Sequence, residues 1–146
     1  YQNVVATKLF SEVIVATDND SIQKEIEAIG GQVFRSKKNH ECGSDRIAEA
    51  VLDSSADLVV NIQGDEPFLN QSSLSSLLNA FESDSDKKID LASLMIPLVE
   101  KEEIQNPNNV KVIVDQDNFA LYFSRSSIPY YRATDVSKTY HKHIGV

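Results

Sequence analysis

The sequence predicts an α/β fold: a three-layer arrangement with helices on both faces of a mainly parallel, mixed sheet. Two observations predict it. Short β-branched runs alternate along the 146 residues with stretches of helical periodicity. Turn residues bound nearly every run, so each strand candidate hands over to a helix candidate within a few positions. Composition agrees. Hydrophobic residues make up 41% and charged residues 25%, which suits a packed globular domain and excludes a disordered tail or a collagen-like fibre.

The elements follow in order. Residues 12–17 (EVIVAT) read as a short buried strand. Asp20 or Ser21 can cap a helix over 22–29, where Ile22, Ile26 and Ile29 share a face. Gly30-Gly31 ends it, because glycine adopts the left-handed conformation without steric cost. Residues 32–34 form a second short strand, and 35–43 a polar, basic loop. Ser44 can cap a helix over 45–53, with Ile47, Ala48, Val51 and Leu52 inward. Residues 57–62 (DLVVNI) are the clearest strand of all, broken at once by Gln63-Gly64-Asp65-Glu66-Pro67. Ser72 or Ser73 starts a helix in which Leu74, Leu77, Leu78 and Phe81 fall at i, i+3, i+4 and i+7. Residues 91–98 are strand-like, and 100–105 fit one helical turn. Residues 110–114 and 119–124 form a hairpin, and a further strand closes the sequence. We expect residues 1–146 to be one incomplete α/β domain, cut from a longer polypeptide, since neither end reads as a domain edge.

Charge narrows the function. Lys and Arg total 14 against 22 Asp and Glu, a net charge of −8. This argues against a nucleic-acid polymer as partner, because that binding depends on neutralising phosphates with bases. No apolar run approaches the length of a membrane span and no secretory leader is visible, so no membrane partner is expected. The single Cys42 excludes an internal disulfide framework and fits a reducing compartment.

In α/β sheets ligands bind beyond the carboxyl ends of the strands, so the segments just after each strand carry the search. Asp65 follows a strand and a glycine. It reads either as a hard oxygen ligand for Mg²⁺ or as a turn residue capping the next helix. Asp18 and Asp20 form a D-x-D pattern, read as a helix N-terminus or as the metal motif of a nucleotide-sugar glycosyltransferase. Arg35, Lys37, Lys38 and Arg46 crowd one stretch beside Gly43-Ser44, either a phosphate or nucleotide contact or a solvated loop. Arg125, Arg132, Lys138 and Lys142 face the single acid Asp135, a local reversal of sign that suits an anionic ligand or a subunit contact. A Cys42–His40 nucleophile pair and a His141–His143 metal pair are weaker candidates. No GxGxxG, GxxxxGK[ST] or G-x-S-x-G motif occurs.

Several motifs stand in register: residues 40–46 (HECGSDR), 61–67 (NIQGDEP), 106–112 (NPNNVKV) and 122–125 (YFSR), then Ile128-Pro129 and His143-Ile144-Gly145. Together they resemble the 3-deoxy-manno-octulosonate cytidylyltransferase (CMP-Kdo synthetase) family, over nearly all of the chain from about residue 12. The resemblance implies a nucleotidyltransferase-like fold. It implies an enzyme that couples CTP to Kdo, giving CMP-Kdo and pyrophosphate for lipopolysaccharide assembly. It further implies Mg²⁺ as cofactor, a cytoplasmic setting and a homodimer, with residues 109–124 in the dimer contact. Residue by residue, it makes Asp65 the catalytic Mg²⁺ ligand. Gly43, Ser44 and Arg46 become nucleotide contacts, and Gln63, Arg125 and His143 sugar contacts. Two positions depart from the pattern: Cys42 stands where the family more often has Ser, and Ser44 where Thr is common. The family's N-terminal triphosphate-gripping loop and later acidic residues have no match in residues 1–146, so we expect these residues alone to be inactive. Two other readings stay open on the residues themselves: a metal-dependent glycosyltransferase using Asp18 and Asp20, and a non-catalytic nucleotide-binding fragment.

Overall fold

A computed structural model describes residues 1–65, 70–132 and 139–146. The chain forms two compact units, Tyr1–Glu82 and Ser83–Val146. Among the described residues no helix is long and apolar enough to cross a membrane.

The first unit runs α1 (Gln2–Thr7), β1 (Ile14–Thr17), α2 (Asp20–Ala28), β2 (Gln32–Arg35), α3 (Gly43–Ala50) and α4 (Gln71–Glu82). Strands β1 and β2 pair in parallel, with Ile14 opposite Gln32 and Thr17 opposite Arg35. Parallel neighbours require a crossover, which α2 supplies. Its cap is Asn19, not Asp20 or Ser21. The Asn19 side chain accepts from the N–H groups of Ser21 at 2.8 Å and Ile22 at 3.2 Å. Asn19 itself is extended, as a cap residue must be, and Asp20 already lies inside the helix. At the other end Gly30 N–H donates to Glu27 O at 3.0 Å and Gly31 N–H to Ile26 O at 2.8 Å. This is a Schellman closure, with Gly30 at φ 74°. A Cβ on Gly31 would lie 2.5 Å from Ile26 Cγ2, so the helix stops where two glycines permit the reversal.

Two expectations shift here. The third helix starts at Gly43 with Cys42 as its cap, and Cys42 makes no side-chain capping bond. Ser44 is therefore inside the first turn, and Leu52 lies beyond the helix, 78% exposed rather than inward. Residues 57–62, the clearest strand in the sequence, join no ladder among the described residues. β-branched composition favours an extended backbone, but a strand also needs a hydrogen-bonding neighbour, and the described residues show none beside 57–62. In α4 the predicted stripe is kept: Leu74 and Leu77 are buried. Asn70 accepts from Ser73 N–H at 2.9 Å at its start. Glu66 and Pro67, read as part of the turn before this helix, lie outside the described residues.

The second unit contains β3 (Leu94–Leu98), α5 (Lys101–Gln105), β4 (Lys111–Val114), β5 (Ala120–Ser124) and β6 (Tyr140–Ile144). The sheet order is β3-β6-β4-β5, antiparallel throughout. The α/β class holds, but among the described residues the strands form two sheets, a parallel pair and a four-stranded antiparallel one, rather than one mainly parallel sheet. The alternation reports crossovers in the first unit, while the hairpin and the closing strand impose antiparallel pairs in the second. The hairpin turn is fixed by Asp115, whose Oδ1 accepts from Asp117 and Phe119 N–H groups at 2.9 and 2.8 Å. Leu98, Val112 and Tyr140 form the buried centre, with Tyr131 edge-on to Tyr140 at 5.5 Å between ring centroids.

Leu74 is 1% exposed. Leu74→Ala removes buried methylenes and leaves a void, so it is expected to cost roughly 2–5 kcal/mol. Urea unfolding at neutral pH measures this; a change under about 0.5 kcal/mol contradicts the placement of α4.

Candidate functional site

The parallel pairing of β1 and β2 brings two departing segments to one edge. Asp18 and Asp20 leave β1, and residues 36–42 leave β2. Arg46, on the first turns of α3, donates from Nη2 to Asp18 Oδ2 at 2.6 Å. Arg35, the last residue of β2, donates from Nη2 to Asp20 Oδ1 at 2.7 Å. Pairs this exposed add little stability, but they orient both guanidinium groups. Arg35 Nη1 and Arg46 Nε are buried and have no partner among the described residues. Asp18, Arg35, Ser36, Lys37, Lys38 and Asn39 line a cleft of about 470 Å³. Three of these six side chains are cationic and one is acidic, so the cleft favours an anion.

Gly43, Ser44 and Arg46 meet at the start of α3. Gly43 and Ser44 are exposed, and no side-chain cap covers the first turn. A Cβ on Gly43 would come 3.9 Å from Gln63 Oε1, so the Gln63 carboxamide lies beside this turn. Gln63 also donates from Nε2 to Asn61 Oδ1 at 3.2 Å. Asp65 is exposed and makes no hydrogen bond or ion pair with another described residue. As a bare, hard oxygen donor it fits Mg²⁺, which takes one or two protein carboxylates and fills its other positions with water and phosphate. Among the described residues no three His, Cys, Asp or Glu side chains cluster as a ready metal cage.

The sequence reading missed Ser36 and Glu49. Glu49 Oε2 accepts from Ser36 Oγ at 2.6 Å and from His40 Nε2 at 2.7 Å. Lys38 Nζ stands 3.5 Å from Glu49 Oε1. The Ser36 hydroxyl above all, then His40, with Lys38 adding, holds the Glu49 carboxyl below the ordinary 4.5. The only trace in the sequence is that Arg46 and Glu49 are spaced i, i+3 on one helix face. His40 directs Nε2 at Glu49 and Ser36, which removes support for a Cys42–His40 nucleophile pair.

In the second unit the antiparallel register sets Lys111 opposite both Ser124 and Lys142. Arg125 and His143, each one residue further on, therefore emerge at the same end of the sheet. Arg125 donates from Nη1 to Pro107 O at 2.9 Å. His143 Nε2 meets Ser93 Oγ at 2.8 Å, and its ring lies edge-on to Phe123 at 5.0 Å. Lys111 is fully buried. It donates from Nζ to Asn106 O at 3.0 Å and Asn109 O at 2.6 Å. Burial, with the nearby Arg125 charge adding, pushes its pKa below 10.5. Arg125 and buried Lys111 thus make this end of the sheet cationic. Asp135 and Lys138 of the second basic stretch lie outside the described residues.

Fold and cleft together define an α/β protein equipped to hold an anionic ligand at its strand ends. A family model described as cytidylyltransferase matches residues 1–146. A protein of Christiangramia forsetii named 3-deoxy-manno-octulosonate cytidylyltransferase is 58% identical over 146 residues, covering all of this chain and 59% of its own length. A protein of the same name from Flavobacterium johnsoniae is 56% identical, with all of this chain and 60% of its own length covered. A solved structure, CMP:2-keto-3-deoxy-manno-octonic acid synthetase complexed with CTP, superimposes with a TM-score of 0.86 at 35% identity. That match covers 99% of this chain and 60% of the other. The chain belongs to the cytidylyltransferase family. It spans about three-fifths of the length of the relatives it matches.

The depressed Glu49 pKa makes a stability prediction. An acid whose folded pKa lies below its unfolded value stabilises the fold fully above the unfolded value and loses that contribution as pH falls through the folded one. Wild type is therefore expected to melt above Glu49→Gln at neutral pH, and the gap is expected to close as pH drops below 4.5. A gap that is constant from neutral pH through that acid range contradicts the ionised cluster.

Proposed function

We propose that this chain is the nucleotide- and sugar-holding part of an enzyme that couples CTP to 3-deoxy-manno-octulosonate, releasing pyrophosphate and giving the CMP-sugar for lipopolysaccharide assembly. The carrying observation is the cationic cleft at the strand ends, where Arg46 holds the lining residue Asp18, in a chain whose relatives are named for that reaction.

The assignments follow the chemistry of each group. Gly43 and Ser44 offer free backbone N–H groups and Arg46 a guanidinium held by Asp18, suited to the cytidine and its phosphates. Arg125 offers a guanidinium to the sugar carboxylate, and His143 a second polar contact at the same sheet end. Gln63, beside Gly43, offers both a donor and an acceptor to hydroxyls. Asp65 would hold Mg²⁺, which when bound supplies charge neutralisation at the phosphates and acidifies a neighbouring hydroxyl. The anomeric oxygen of the sugar forms its bond to the α-phosphorus as the bond to the bridging oxygen breaks. Pyrophosphate leaves and the hydroxyl proton passes to solvent. No covalent enzyme intermediate is needed. The residues bind, align and neutralise, which is where such reactions find most of their acceleration.

Edge strand β5 leaves Leu121 and Tyr122 largely exposed, and this supports a homodimer formed along that strand. The single exposed Cys42 suits a reducing, cytoplasmic setting. The glycosyltransferase reading has no comparable support. Asp18 and Asp20 are each engaged by an arginine, at 2.6 and 2.7 Å, and the two guanidinium charges oppose a metal cation there.

Pyrophosphate release from CTP and 3-deoxy-manno-octulosonate by the full-length protein tests the proposal. Asp65→Asn is expected to cut kcat by about 100-fold or more with an unchanged circular dichroism spectrum. Near-normal turnover sinks the metal-ligand role. Arg46→Ala is expected to raise the KM for CTP roughly 10-fold or more, leaving the KM for the sugar within about twofold. Equal changes in both KM values contradict the assignment of Arg46 to the nucleotide.

A further inference from the structure

Ser36, His40 and Glu49 form a polar cluster that none of the proposed steps uses. Ser36 is 4% exposed, and the His40 and Glu49 side chains are 9% and 18% exposed. Three close groups of these types suggest a nucleophilic relay at first sight. The geometry excludes it. In such a relay one imidazole nitrogen takes the hydroxyl proton while the other is held by the acid. Here the same nitrogen, His40 Nε2, lies 2.7 Å from the Glu49 carboxylate and 3.0 Å from Ser36 Oγ. Ser36 Oγ is itself 2.6 Å from the same carboxylate oxygen. A carboxylate accepts only, so the Ser36 and His40 protons both point to Glu49 and neither side chain is poised to attack.

The cluster instead ties a loop to a helix. Ser36 begins the loop after β2, His40 lies near its end, and Glu49 sits in the last turn of α3. Ser36 Oγ also accepts from Lys38 N–H at 3.2 Å, and Lys38 Nζ reaches the other Glu49 oxygen. Ser36, Lys37, Lys38 and Asn39 are four of the six cleft-lining residues. The chain then enters α3 through Cys42, which provides no cap. With no local capping bond, the path of the loop into Gly43 and Ser44 is set from one and a half turns further along the same helix, by Glu49.

We propose that Glu49 and His40 are positioning residues: they order loop residues 36–42 and so shape the nucleotide cleft without touching the nucleotide. The nucleotide as ligand rests on the function proposed above; the ordering of the loop does not. Two measurements on the full-length protein test it. In the ligand-free state, hydrogen exchange of residues 36–42 is expected to be at least ~10-fold faster in Glu49→Ala and His40→Ala than in wild type, with α2 unchanged. In steady-state kinetics, Glu49→Ala is expected to raise the KM for CTP about 10-fold, with kcat at saturating CTP and the KM for the sugar within about twofold. Glu49→Gln, which keeps one acceptor oxygen, recovers part of the loss. Unchanged exchange in the loop overturns the proposal. So does a variant in which kcat falls while both KM values rise together, which marks general loss of structure. Failure of wild type to bind CTP sinks the functional reading, and the exchange measurement still decides the ordering role.

Discussion

The parallel register of β1 with β2 is the constraint on which the first unit depends. Because Thr17 stands opposite Arg35, both strands end at the same edge, and every polar group of the cleft enters from there. Asp18 and Asp20 come from one strand end, Arg35 and Ser36 from the other, and α3 returns Arg46 and Glu49 to the same place. A slip of one residue would turn Arg35 to the opposite face, breaking its pair with Asp20. The pairs that result contribute orientation more than stability, since each has a partly exposed member.

The second unit reaches a similar end by antiparallel pairing. Lys111 lies opposite Ser124 on one side and Lys142 on the other, which sets Arg125 and His143 at one end of the sheet. Lys111 is buried without a carboxylate partner among the described residues and donates to two backbone carbonyls of the 106–109 turn. The same turn accepts from Arg125 through Pro107 O. A buried ammonium is costly unless hydrogen-bonded, so Lys111 favours this shape of the turn, whose Pro107 carbonyl holds Arg125.

Local signals in the sequence translated well. Gly30-Gly31 closes α2, the Leu74 stripe faces inward, and the hairpin forms around Asp115. Capping translated less well, since Asp, Asn and Ser stand side by side at 18–21 and only the backbone geometry of Asn19 selects it. Residues 57–62 show the limit of composition: a β-branched run reports an extended preference but not whether a partner strand is present. Of the candidate site, Gly43, Arg46 and Gln63 stand out from their motifs; the structure puts Gln63 beside Gly43 and Arg46 against Asp18. The Ser36–His40–Glu49 cluster was not, because it joins residues 13 apart whose only sequence trace is the spacing of Glu49 from Arg46. The antiparallel pairing of β6 with β3 and β4 also escaped, since alternation of elements does not state the direction in which strands pair.

The proposed function puts a cytidine nucleotide at the shared edge of β1 and β2. A two-dimensional amide NMR titration of the full-length protein with CTP tests it most directly. Saturable shifts are expected to concentrate at Asp18, at Ser36 to Asn39 and at Gly43 to Arg46, with α2 left still. Saturable shifts confined to other surfaces, with those residues unmoved, would contradict it.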